Sequence, residues 1–191
     1  MSKKINAVLG LILVTAFLIH IIYEIYAYLT FYYNPVFTRA IADSAMSIAV
    51  LHMLFSAFIV FISHDKGMGM RYFKLNIRTL LQRISAIAIV VLLFPHLKTF
   101  SLLKESYGTN MFLFASVMTA QILFYAAILF HISVSTTNAF ITLGIMSSEK
   151  ARKRLDVTVS TICILLFIAA SFVIVRSQLI MLSPSFAGGT V

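Results

Sequence analysis

The stretch LLQRISAIAIVVLLFPH, residues 80–96, decides the fold. From Ile84 to Phe94 it holds no charged residue, and it offers neither the glycine-rich turns nor the apolar-polar alternation of a barrel strand. An α-helix needs about 20 apolar residues to cross the hydrocarbon layer, and this segment with its flanks is long enough. Arg83 sits within the first two turns, where its long side chain can reach the headgroups. The stretch closes on Pro95-His96, an expensive pair to keep in a segment otherwise suited to lipid.

Working outward, similar runs fill the 191-residue chain, which is 61% hydrophobic and 11% charged, with a mean hydropathy of +1.00. A water-soluble domain of this size could not hide that much apolar surface in one core. The reading is an all-α integral membrane protein of one domain, with helices at about 5–31, 44–63, 76–100, 107–147 and 156–176. Asn34-Pro35 marks the end of the first helix and His64-Asp65-Lys66-Gly67 the loop after the second. The fourth run exceeds one span, so its last turns either project past the bilayer or bend near Gly144. The first run is too long for a signal-peptide core and reads as a retained helix.

The net charge of +9 does not point to nucleic acid, because the basic residues are divided among short loops. Lys3, Lys4, Lys66, Arg71, Lys74, Arg78, Arg83, Lys150, Arg152, Lys153 and Arg154 fall on one side, against Arg39, Lys98, Lys104 and Arg176 on the other. The positive-inside rule makes the first side cytoplasmic, which places the N-terminus inside and the C-terminus outside. The chain has no Trp, and the tyrosines between Tyr23 and Tyr33 supply an interfacial belt where the first helix should leave the outer face. The single Cys163 can neither close an internal disulfide nor hold a four-thiolate cluster, and reads as a small apolar packing residue.

Four histidines lie inside the apolar runs, one per helix: His20, His52, His96 and His131. A lone intramembrane histidine is often an interhelical hydrogen bond. Four on four helices match the axial ligands of two haem irons held in a bundle. The ~1.5 Å rise per residue puts His20 about 22 Å from the start of its helix and His96 about 27 Å from Arg78, both toward the outer face. His52 lies about 18 Å from His64 at the inner end, so His52 pairs with His131 and His20 with His96. His64, in a charged turn, is assigned no ligand role.

The segment RYFKLNIRTLLQRIS (71–85), with His52 before it and His96 after it, resembles the di-haem cytochrome b subunit of succinate dehydrogenases and fumarate reductases. The likeness extends over all five helices and includes Phe17-Leu18-Ile19-His20, Phe124-Tyr125 and Phe130-His131. It implies two haem b groups ligated by His20, His52, His96 and His131. It also implies an electron-transfer anchor in the cytoplasmic (inner) membrane, docked through its basic loops to an iron–sulfur subunit and an FAD-bearing flavoprotein. Two departures stand out: Ala86 where the family often has glycine, and Leu129 where some fumarate reductases carry a glutamate linked to transmembrane proton movement.

Further site candidates follow from chemistry. Haem carboxylates need cationic or hydroxyl partners in a dry site, for which Arg83, Ser85 and Ser133 are inner candidates and Arg39 and Lys98 outer ones. A quinone, menaquinone or similar, takes up two protons with two electrons, and Glu24, one turn beyond His20 among tyrosines, is the candidate proton group. Asp43 is the weaker one, with helix N-capping as its other reading. Pro95 removes a backbone donor and frees the carbonyl of Val91 beside His96. Two alternatives remain at this level: a cytochrome b serving another membrane dehydrogenase, and a haem-free transporter or scaffold in which the histidines pack or relay protons.

Overall fold

The computed structural model describes residues 2–62 and 73–181. His64 and the loop assigned around it lie outside the described residues. Every described element is a helix: α1 Ser2–Thr30, α2 Pro35–Ile62, α3 Phe73–Ser106, α4 Met111–Leu143 and α5 Glu149–Met181. All five are long and apolar enough to cross a membrane. The chain is an all-helical, multi-pass membrane protein.

The helices run past the boundaries expected from charge. Asp43 was a candidate cap for the second helix, but α2 starts two turns earlier, at Pro35. Asn34 is its cap, the side-chain oxygen accepting from the backbone N–H of Val36 and Phe37 at 3.1 Å each. Proline at the first helical position forfeits only a hydrogen bond the helix end could not make. Phe31, at φ 56°, takes the left-handed turn that ends α1. Likewise α5 begins at Glu149 rather than Asp156, with the Ser148 hydroxyl accepting from Ala151 N at 3.2 Å and Lys153 reaching Glu149 at 3.0 Å. The charged residues of these turns are helical and not loop. A helix that leaves the hydrocarbon keeps its internal hydrogen bonds, and its charges then meet headgroups and water.

The fourth helix neither bends near Gly144 nor carries on to residue 147. It starts after Asn110, whose side chain accepts from Leu113 N at 3.0 Å, and ends at Leu143. Gly144 takes φ 79°, donating to Ile141 O while Ile145 donates to Phe140 O. This is the left-handed closure for which glycine carries no Cβ penalty.

The packing is uneven. Buried residues of α1, α4 and α5 form one apolar cluster around Ile21, Leu129, Ile132 and Cys163. Those of α3, α4 and α5 form a second around Leu103, Phe114, Met118 and Ile174. So α4 is the hub, in contact with α1, α3 and α5, while α2 rests chiefly on α1. Asn6 on α1 accepts from Ser56 on α2 at 3.1 Å. Two pairs, α1–α2 and α3–α4, joined where α1 meets α4, leave a gap between them.

At the end of the bundle where α3 and α5 begin, Arg78 closes a three-helix clamp. Its guanidinium meets both oxygens of Asp156 on α5 at 2.7 and 3.0 Å, and its Nε donates to Val134 O on α4 at 2.9 Å. Thr137 adds a bond to Asp156 at 2.6 Å. Two-point pairing is the stronger form of such contacts, and both side chains are only about one-third exposed (33% and 35%). A double-mutant cycle of Arg78→Gln and Asp156→Asn, read by unfolding in mixed micelles, is expected to give a coupling of about 1–2 kcal/mol.

Candidate functional site

The gap between the helix pairs is a cavity of about 470 Å³ lined by α1 to α4, with no contribution from α5. His20, His52, His96 and His131 all line it. On the α2 side it is lined by Ala42, Ala45 and Ala49 together with the larger Met46, His52, Met53 and Ile59.

The histidines stand at two levels. The imidazole of His20 lies within electrostatic reach of His96, and that of His131 within reach of His52. Three helices measure the separation independently. On α1, Gly10 lies against His52, and His20 follows ten residues later. On α4, Gln121 binds His96, and His131 follows ten residues later. On α3, Ser85 binds His131, and His96 follows eleven residues later. At 1.5 Å per residue each gives about 15–17 Å. Such agreement puts His20 and His96 at one level of the cavity and His52 and His131 at another.

The local partners are specific. His96 Nδ1 lies 3.0 Å from Gln121 Oε1, which also accepts the Thr99 hydroxyl at 3.0 Å, and its ring stacks on Phe124 at 4.5 Å. His131 Nδ1 lies 2.9 Å from Ser85 Oγ, which donates to Gln82 O at 3.0 Å. His20 Nδ1 and His52 Nδ1 are buried with no hydrogen-bond partner. Pro95 lies within α3, and the helix continues through it to Ser106; the Thr99 hydroxyl, 2.9 Å from Pro95 O and 3.0 Å from Gln121 Oε1, has one proton to share between them.

Gly10 permits the approach of His52. A Cβ there would lie 3.2 Å from His52 Cε1 and within 4 Å of both ring nitrogens. Nothing in the sequence singles this glycine out, since its role depends on which helix lies opposite. Gln121 was missed too, although an uncharged amide alone in a long apolar run, 1% exposed, carries the same signal as the histidines.

The other candidates are distributed differently. Ser85 is buried but engaged with His131, and Arg83 is half-buried away from the cavity lining. Arg39, Asp43 and Lys98 are exposed and do not line it. Ser133 turns its hydroxyl to Phe130 O at 2.8 Å, whereas Ser135, two residues on, lines the cavity with Oγ buried and unpartnered. Lys3, Asn6, Gln82 and Asn138 line it at the end where α1 and α3 begin. Glu24 does not share the cavity with His20. It lies near Tyr28 and Tyr125 with Oε1 buried and unpartnered, and Tyr28 stacks on Phe100 at 6.0 Å.

Comparisons with protein-family models, curated proteins and solved structures find no match for this chain. Its chemistry has to be argued from the cavity itself. Among the described residues no group of three or more His, Cys, Asp or Glu side chains converges to hold a bare metal ion. The donor set is two facing imidazoles at each of two levels, which suits a metal that brings its other ligands with it. All four imidazoles line the cavity, and so large an apolar-walled space with imidazoles at two levels fits such a group.

Proposed function

We propose that this chain is the di-haem cytochrome b membrane-anchor subunit of a succinate:quinone oxidoreductase, acting in succinate oxidation or fumarate reduction. The observation that carries the di-haem reading is the two-level pairing of four histidines on one cavity. The assignment to this enzyme class rests on the sequence resemblance around residues 71–96.

On this reading His52 and His131 hold the inner haem, and His20 and His96 the outer one. The basic end of the bundle faces the cytoplasm, in the inner membrane. Bound there, each haem supplies a one-electron Fe(III)/Fe(II) couple. The protein supplies geometry and dryness: imidazoles fixed on rigid helices, apolar walls, and a polar mouth. Lys3, Asn6, Gln82 and Asn138 line that mouth, which supports them, in preference to Arg83 and Ser133, as partners for the carboxylates of the inner haem. The iron–sulfur and FAD-bearing subunits dock at the same basic end.

At the other end, quinone and quinol interconvert by two electrons and two protons, so that site needs a titratable group. Glu24, with Tyr28 and Tyr125 beside it, has the unpartnered carboxylate oxygen such a transfer requires. A menaquinone-type ring is the substrate class proposed.

The deciding experiment is a dithionite-reduced minus oxidised spectrum with a pyridine haemochrome assay on the purified chain. Two haem b per polypeptide is the expected result. A folded chain free of haem overturns the reading in favour of a transporter or scaffold, and co-purifying subunits distinguish a succinate enzyme from another dehydrogenase.

A further inference from the structure

The four imidazoles are not held alike. Each level pairs one ring anchored through Nδ1 with one that is not: Gln121 anchors His96, Ser85 anchors His131, and His20 and His52 have no Nδ1 partner. The anchors are themselves enclosed, with Gln121 and Thr99 each 1% exposed and Ser85 4%.

The direction of each bond follows from the atoms. Gln121 Oε1 is a carbonyl oxygen and can only accept, so His96 Nδ1 carries the proton. With the Ser85 proton on Gln82 O, its oxygen is left to accept from His131 Nδ1, whose ring also hydrogen-bonds to the Gln82 backbone. Both arrangements select the same tautomer, with Nε2 as the lone-pair nitrogen. An acceptor on Nδ1–H raises the basicity of the other nitrogen, and a more basic imidazole favours the oxidised metal. The two acceptors differ: one is a carboxamide oxygen shared with Thr99, the other a hydroxyl.

We infer that Gln121, supported by Thr99, and Ser85 are positioning residues that fix the tautomers of His96 and His131 and tune the two haem potentials separately. The inference rests on the di-haem reading. Leu at position 121 removes the acceptor and raises one potential. Glu at the same position strengthens it and lowers that same potential. A residue that only filled space would not give opposite signs.

The test is an optical redox titration of the haem-loaded chain, with haem per polypeptide measured first. Gln121→Leu is expected to raise the midpoint of one haem by about tenfold in its one-electron equilibrium, roughly 59 mV, and Gln121→Glu to lower it. Ser85→Ala is expected to raise the other haem's midpoint and leave the first in place. Thr99→Val serves where the buried glutamate prevents folding: it leaves the Gln121 oxygen to His96 alone and lowers the same midpoint. Two retained haems with unmoved potentials, or both moving together in every variant, overturn the inference. A wild-type chain without haem overturns the underlying reading and this inference with it.

Discussion

On the di-haem proposal, a chain carrying both His52→Ala and His131→Ala should keep one haem, whereas one carrying His52→Ala and His96→Ala should keep none. The difference follows from the pairing. His52 lies within electrostatic reach of His131 and His20 within reach of His96, at levels about 15 Å apart along the helices. Two substitutions at one level remove one site twice, and two at different levels remove both sites once. Strong non-additivity of this kind is expected of residues that act as a unit. The readout is haem per polypeptide and the 280 nm-normalised band of the reduced protein. Equal losses in the two double variants would mean that the histidines do not pair as the helices place them.

On the same proposal, Gly10→Leu should remove the haem at the His52–His131 level and leave the other. Even a single methyl at this position would meet the His52 ring at 3.2 Å, and the cavity wall here is helix α1 itself. Overpacking of this order costs about 1–3 kcal/mol, so Gly10→Ala is expected to keep both haems with weakened binding at that level. Leucine adds three carbons into the space a porphyrin edge would need, and occupancy at that level should fall to near zero. Gly144→Ala is the control. Its left-handed φ of 79° strains any other residue, so about 1 kcal/mol of stability is lost, while haem content is unchanged because nothing lies within 4 Å of an added Cβ. A full complement of haem in Gly10→Leu would remove α1 from the account of the inner site.

How much of this was legible in advance differs by residue. Five apolar runs fixed five helices, because the bilayer admits few alternatives for a chain with no barrel pattern. The boundaries are less legible: charge suggests loop at Arg39 and at Lys150 to Arg154 and a helix cap at Asp43, yet these backbones lie inside helices, since charge reports contact with water and not the end of a helix. The four histidines stood out because a polar group in hydrocarbon needs a reason. Gln121 offered the same signal and was passed over. Ser133 and Ser135 could not be told apart from composition, as a rotation of two residues on α4 decides which hydroxyl meets the cavity.

By itself, the sequence determined that the chain is helical, spans a membrane, and carries one imidazole in each of four helices, because hydropathy and residue cost are properties of the chain alone. Only the tertiary structure decided that these imidazoles share one cavity, that Glu24 stands outside it, and that Gly10, Gln121 and Ser85 shape how the rings are held. Those facts depend on which faces of which helices meet. In a medium where lipid is as apolar as leucine, that choice is made by close packing and a few hydrogen bonds between residues far apart in sequence.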